Sequence, residues 1–345
     1  MEINLISDTV TRPTAGMLEA MMSAKVGDDV FKADPSVNML EEKMASLFGM
    51  EAALFFPSGT MTNQTAIKLH TEPGNQLICD KYAHVYNYEG GGVSFNSGVS
   101  CKLVDGDRGM MMADQVLEAI NPPDFYHSPL TSLVCVENTT NKGGGACWDF
   151  EELIKIKEIC NNHGLAYHLD GARLWNALVA RNEEAKQYGA IFDTISVCLS
   201  KGLGCPVGSV LVGSKALISN ALRIRKILGG GMRQAGYLAA AGIYALDHHV
   251  DRLADDHQKA VELSEALEQL TLVRKVESTE TNIVIFEIDE RNMTPDEFIA
   301  KLAEEDIHLI GMGQGKLRMV THLDYSDQMH QKVLEVLKNF NINRS

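Results

Sequence analysis

No two cysteines of this chain stand in C-x-x-C spacing, although there are seven, at positions 79, 101, 135, 147, 160, 198 and 205. An odd, scattered set argues against a disulfide framework and against a zinc site, and it reads as reduced thiols. No metal ligand set emerges. Net positive charge is missing as well. A formal charge of −15 excludes a broad basic face for nucleic acid or an anionic membrane, because phosphate neutralisation needs clustered cations. No run of about 18 apolar residues is present, so no transmembrane helix is expected. The start, Met1-Glu2-Ile3-Asn4, has neither the basic residues nor the apolar stretch of a signal peptide. A cytoplasmic chain is expected. Repeats, low-complexity tracts and flexible linkers are absent too.

What is there suits a large domain plus a smaller one. The 345 residues, 45% hydrophobic and 22% charged, can bury a core without disulfides. Short β-like runs at 52–56, 77–79, 131–136, 165–169, 194–199 and 207–212 alternate with helical stretches, among them 149–163 with Asp149 as N-cap. Strands alternating with helices imply an α/β fold with a mostly parallel sheet covered on both faces. Helices are also expected over 13–22, over a stretch following Ser36 and closed by Gly49, and after Pro57-Ser58-Gly59-Thr60 as far as His70. After Gly229-Gly230-Gly231 the rhythm changes. One or two long helices over 235–270 precede strand 282–288, helix 295–304, strand 316–320 and helix 326–340, which together read as a small α+β domain. The boundary is expected near 245–255, giving a large domain over 1–250 and a small one over 251–345, with the extreme N-terminus packing on the latter.

Two stretches carry the chemistry. In His168-Leu169-Asp170-Gly171-Ala172-Arg173 and Leu199-Ser200-Lys201-Gly202-Leu203-Gly204, an acid and a lysine each follow a β-like run. A pyridoxal phosphate site needs this pair. The lysine forms an imine with the cofactor aldehyde, and the acid keeps the pyridine nitrogen protonated so that the ring can accept electrons. An ordinary ion pair is the simpler alternative. Ser58-Gly59-Thr60 lies between a strand and a helix start, where small residues and the helix dipole suit a phosphate. His84, before Tyr86, Tyr88 and Glu89, could stack on a pyridine ring or move a proton, or be a plain loop histidine. His127 shares that ambiguity. Arg223, Arg225, Lys226 and Arg233 surround the glycine run, either as a solvated basic face or as an anion site reaching across a subunit interface. Arg318, inside an apolar strand, has the fork to bind a substrate carboxylate.

These residues resemble the low-specificity L-threonine aldolases, pyridoxal phosphate enzymes of fold type I. The resemblance rests on Ser7-Asp8-Thr9-Val10-Thr11-Arg12-Pro13, Val26-Gly27-Asp28-Asp29, His168 to Arg173, Ser200 to Gly204, Gly229 to Gln234 and Thr321-His322-Leu323-Asp324, in that order. It spans essentially the whole chain. It implies a mainly parallel seven-stranded sheet and a small C-terminal α+β domain. Lys201 would be the imine lysine, Asp170 the pyridinium partner and Arg173 a neighbour of the cofactor's phenolic oxygen. Ser58, Gly59 and Thr60 would hold the phosphate, aided by Lys226 and Arg233 of a neighbouring subunit. His84 would stack on the ring, Ser7, Arg173 and Arg318 would bind the substrate carboxylate, and His127 would lie near the β-hydroxyl. The implied reaction is retro-aldol cleavage of L-threonine or L-allo-threonine to glycine and acetaldehyde by a homo-oligomer, a tetramer, with sites at subunit interfaces. The base is His84, His127 or a water they hold. Other lyase reactions on the same scaffold, β-elimination among them, stay open, as does a cofactor-free binding protein. Two departures stand out. Thr140 follows Glu137-Asn138-Thr139 where the family commonly has histidine, and Phe31-Lys32-Ala33-Asp34-Pro35 replaces the family's Tyr-Gly-Asp/Glu-Asp-Pro.

Overall fold

A computed structural model describes residues 1–340. Its strands, in chain order, are β1 Ile3–Asn4, β2 Ala52–Phe56, β3 Gln76–Asp80, β4 Ser100–Val104, β5 Thr131–Glu137, β6 Ala166–Gly171, β7 Thr194–Cys198, β8 Ser209–Gly213, β9 Val273–Val276, β10 Ile283–Ile288, β11 Ile307–His308, β12 Ile310–Gly313 and β13 Lys316–Val320. Seven of them form the main sheet, in the order β2-β8-β7-β6-β5-β3-β4. It is parallel except for β8, which runs against both of its neighbours. β3, β7 and β8 are buried at every residue, which is why they read as continuous apolar runs. Within the main sheet, β4 is the strand that periodicity missed. It lies at the sheet edge with Ser100, Lys102 and Leu103 exposed, so it lacks an apolar signature.

Local chemistry sets the helix ends. Asp34, not Ser36, caps the Pro35–Phe48 helix, its Oδ1 accepting the Ser36 and Val37 N–H groups at 3.1 Å each. Gly49 closes that helix at φ 61°, a left-handed conformation that glycine adopts without strain. Thr14, Ser58 and Asp149 cap the helices Ala15–Met22, Gly59–His70 and Phe150–His163. The long helical stretch is two helices, Gly236–His248 and Leu253–Glu268.

A second sheet, β12-β13-β10-β9, is antiparallel. Its core holds Phe286, Phe298, Leu317 and Leu337, and also Ile3 and Leu5 from the start of the chain. β1 pairs in parallel with β11, and the Val320 N–H donates to Leu5 O at 2.9 Å.

One residue of the basic cluster belongs to the fold rather than to an anion site. Arg225 is buried, donating from Nη2 to Asp29 Oδ2 at 2.7 Å and from Nη1 to Phe55 O at 2.6 Å. It ties the segment around residue 29 to the end of β2. Arg225→Met leaves Asp29 with only Lys32 at 3.8 Å. It should cost about 3–5 kcal/mol of unfolding free energy, read as a lower urea midpoint, and an unchanged midpoint would contradict this role.

Candidate active site

The functional candidates collect where the parallel strands end, the usual place for ligands in open α/β sheets. Asp170 lies near the end of β6, in register with Glu137 on β5 and Ser196 on β7. Lys201 follows β7, and Ser58 follows β2. His84 opens a single-turn helix, His84–Asn87, after β3. A cavity of about 240 Å³ is lined by Gly59, Thr60, Asn63, His84, Asp170 and Lys201 among others. It shares His84, Ala172 and Lys201 with a cavity of about 480 Å³ that adds Ser7, Glu137, Asn141, Arg173 and Arg318.

Charge in this space is unevenly paired. Among the described residues, Lys201 and Arg318 make no ion pair. Arg318 is held by neutral groups, donating from Nη1 to Asn141 Oδ1 at 2.8 Å and from Nη2 to Ile6 O at 3.0 Å. Its buried Nε has no partner. Burial, and then the charge of Arg173, pull its guanidinium down to about 10. A buried cation with unfilled donors at a cavity wall is a receptor for an anion.

Arg173 is committed differently. It forms a two-pronged pair with Asp8, Nε to Oδ2 at 2.8 Å and Nη2 to Oδ1 at 2.7 Å, both side chains buried. Burial alone would raise the Asp8 carboxyl. Arg173, with smaller help from Lys201 and Asn282, instead holds it well below the usual carboxylate range.

On the other side stand carboxyl groups. Asp170 accepts the Ala172 N–H at 3.1 Å and Asn63 Nδ2 at 2.9 Å. Glu137 accepts the backbone N–H groups of His84 and Asn141, both at 2.9 Å. Burial first, and then the Asp170 charge, push Glu137 up to about 7. His84 Nδ1 lies 3.0 Å from Glu89 Oε1. Burial opposes charge on this imidazole, but Glu89, Asp170 and Glu137 together raise its pKa.

His127 does not line the cavities of this chain, and neither do Lys226 and Arg233, which were expected to act in a neighbouring subunit. His127 is exposed in the loop before β5, stacked on Tyr126 at 4.1 Å, and lines neither cavity of its own chain. Lys226 and Arg233 are exposed too, and Arg233 pairs with Asp28 at 3.0 Å. Thr140 is buried in the turn after β5, off both cavity walls, and its neighbour Asn141 faces the cavity instead. Phe31 is 76% exposed. Conversely, Asp8, Asn63, Glu89, Glu137 and Asn141 were not singled out by the sequence. Glu89, five residues beyond His84 and before three glycines, was the one with a local signal.

Pyridoxal phosphate suits this donor set. An unpaired lysine, a buried carboxylate and a capped twelve-residue helix start share one cavity. A Cβ added at Gly59 would meet nothing within 4 Å, so there is room in front of the helix N-terminus. The raised Glu137 has a measurable consequence. Its carboxyl binds a proton more tightly folded than unfolded, so stability falls as pH rises from about 4.5 towards 7. Thermal melts of cofactor-free protein should lose stability across this window, and Glu137→Gln should flatten the loss. Parallel pH curves for the two proteins would contradict it.

Known proteins show the family. Residues 4–291 match the beta-eliminating lyase family. The chain is 42% identical over 327 residues to low-specificity L-threonine aldolase 1 of Arabidopsis thaliana, covering 93% of this chain and 91% of that one. It is also 42% identical over 334 residues to the low specificity L-threonine aldolase of Escherichia coli K12, covering 96% and 97%. The threonine aldolase of Leishmania major has the same fold, with a TM-score of 0.85 at 21% identity over 98% of this chain and 99% of that one. The chain belongs to the low-specificity L-threonine aldolases, within the beta-eliminating lyase family.

Proposed function

We propose that this chain is a pyridoxal phosphate-dependent carbon–carbon lyase that cleaves L-threonine and L-allo-threonine to glycine and acetaldehyde. The observation that carries the reading is the pair of cations without an ion-pair partner among the described residues, Lys201 and Arg318, lining two cavities that share His84, Ala172 and Lys201 and that also hold the buried carboxyls of Glu137 and Asp170. Bound there, the cofactor would supply an electron sink for the bond pair released from Cα–Cβ. Every other task falls to side chains. Lys201 would hold the cofactor aldehyde, Asp170 would serve its ring nitrogen, and Ser58, Gly59 and Thr60 would bind its phosphate at the helix start. His84 would stack on the ring. Arg318, with Ser7 beside it, takes the substrate carboxylate, and Arg173, locked by Asp8, gives that end of the cavity a fixed wall. Orientation of this kind converts binding into rate. The base that removes the β-hydroxyl proton is His84 or a water it holds. His127, outside its own chain's cavity, can act only in a neighbouring protomer's.

We further read residues 1–250 and 251–345 as the two domains, and the assembly as a homotetramer in which Lys226 and Arg233 reach a neighbour's phosphate site. Support comes from exposed apolar side chains on the single chain, Phe95 at 90%, Tyr126 at 86% and Ile227 at 69%. Seven free thiols support a cytoplasmic location.

Lys201→Ala should abolish threonine cleavage and the visible absorption of lysine-bound pyridoxal phosphate. Retained turnover would overturn the assignment. Arg318→Leu should raise KM for L-threonine about 100-fold, the loss expected for a charge-assisted carboxylate contact. It should leave cofactor absorption intact, and an unchanged KM would remove Arg318 from substrate binding.

A further inference from the structure

His84 begins a single turn, His84–Asn87, which is too short to fix its ring. The ring is held from outside that turn. Glu89, buried with its side chain fully enclosed, accepts from His84 Nδ1 at 3.0 Å and from Asn63 Nδ2 at 2.8 Å on Oε1, and from Gln64 Nε2 at 2.6 Å on Oε2. A carboxylate only accepts, so the proton of His84 sits on Nδ1.

The same Asn63 Nδ2 donates to Asp170 Oδ2 at 2.9 Å. With two carboxylates on its nitrogen, Asn63 must turn Oδ1 to His168 Nε2, 3.2 Å away. Burial pushes His168 down to about 3, so that ring is neutral. Its Nδ1 lies 2.9 Å from Thr194 Oγ1 and 3.1 Å from Thr194 O. His84 Nδ1, Asn63 Nδ2 and both oxygens of Glu89 and of Asp170 are therefore all engaged in hydrogen bonds. Buried networks satisfied in this way hold geometry well.

We propose that Glu89 is a positioning residue for His84, fixing the imidazole plane and its Nδ1 proton so that the ring is presented to the cofactor cavity in one orientation. This rests on the reading of that cavity as the cofactor site. The charged groups facing His84 are Glu89, Glu137 and Asp170, while Lys142, Arg173, Lys201 and Arg318 line the adjoining cavity. Of the described carboxylates, only Glu89 bonds the ring itself. Glu137 bonds the His84 backbone, and Asp170 is linked to it only through Asn63 and then Glu89.

The test uses cofactor-free protein, so it does not depend on Lys201 chemistry. Modification of His84 by diethyl pyrocarbonate, followed by peptide mass spectrometry from pH 5 to 8, reports its protonation midpoint. The wild-type midpoint should lie above 6.5. Glu89→Gln should lower it by about 1 unit, as loss of an adjacent opposite charge does, and Glu89→Asp should restore part of the shift. Equilibrium dialysis should show pyridoxal phosphate bound about 10-fold more weakly by Glu89→Gln. A wild-type midpoint at or below 6.5, an unshifted midpoint in Glu89→Gln, or unchanged cofactor affinity in that variant would each overturn the proposal. Failure of the cofactor reading would show separately, as wild-type protein that stays colourless with pyridoxal phosphate.

Discussion

The two-pronged Asp8–Arg173 pair is the constraint around which the site is built. Asp8 comes from the start of the chain, Arg173 from just past β6, and Asn282, which donates to Asp8 Oδ2 at 3.2 Å, from the lead into β10. One buried carboxylate thus joins the N-terminal segment, the main sheet and the second sheet beside the cavity. Removing either partner would strand a buried charge, which is far more costly than a lost surface pair. The arrangement also places Arg318, on β13, opposite residues at the ends of β5 to β7.

Around that tie the charges segregate. Glu89, Glu137 and Asp170 cluster on the sheet side, where β3, β5 and β6 end. Lys201 and Arg318 face the cavity without counter-ions. Neither half is self-sufficient, because the acids crowd one another and the cations have unfilled donors. A ligand with a cationic ring nitrogen, an aldehyde and an anionic phosphate, together with an amino acid bearing a carboxylate, satisfies both halves. Structural ion pairs alone would not leave this pattern, and that is why the arrangement supports catalysis rather than a scaffold role.

Much of this was legible in the sequence because strand ends are. Asp170 and Lys201 each terminate an apolar run, and Ser58-Gly59-Thr60 sits at a strand-to-helix junction, so their convergence follows from a parallel sheet. The main-sheet strands with buried faces could be read for the same reason, whereas polar, edge-lying β4 could not. Asp8 and Asn63 escaped notice since their roles depend on partners more than 20 residues away, which no periodicity encodes. Arg225 read as part of a solvated basic face or of an anion site and is a buried structural arginine, because neighbouring cations in sequence need not share a face. The placement of His127 outside its own chain's cavity is equally invisible to spacing.

The central claim is that this cavity breaks Cα–Cβ of a β-hydroxy amino acid. It is tested most directly by incubating the pyridoxal phosphate-loaded protein with L-threonine and identifying the products. Glycine and acetaldehyde in equal amounts are predicted. Ammonia with a four-carbon 2-oxo acid would mean elimination at the same site and would contradict the account.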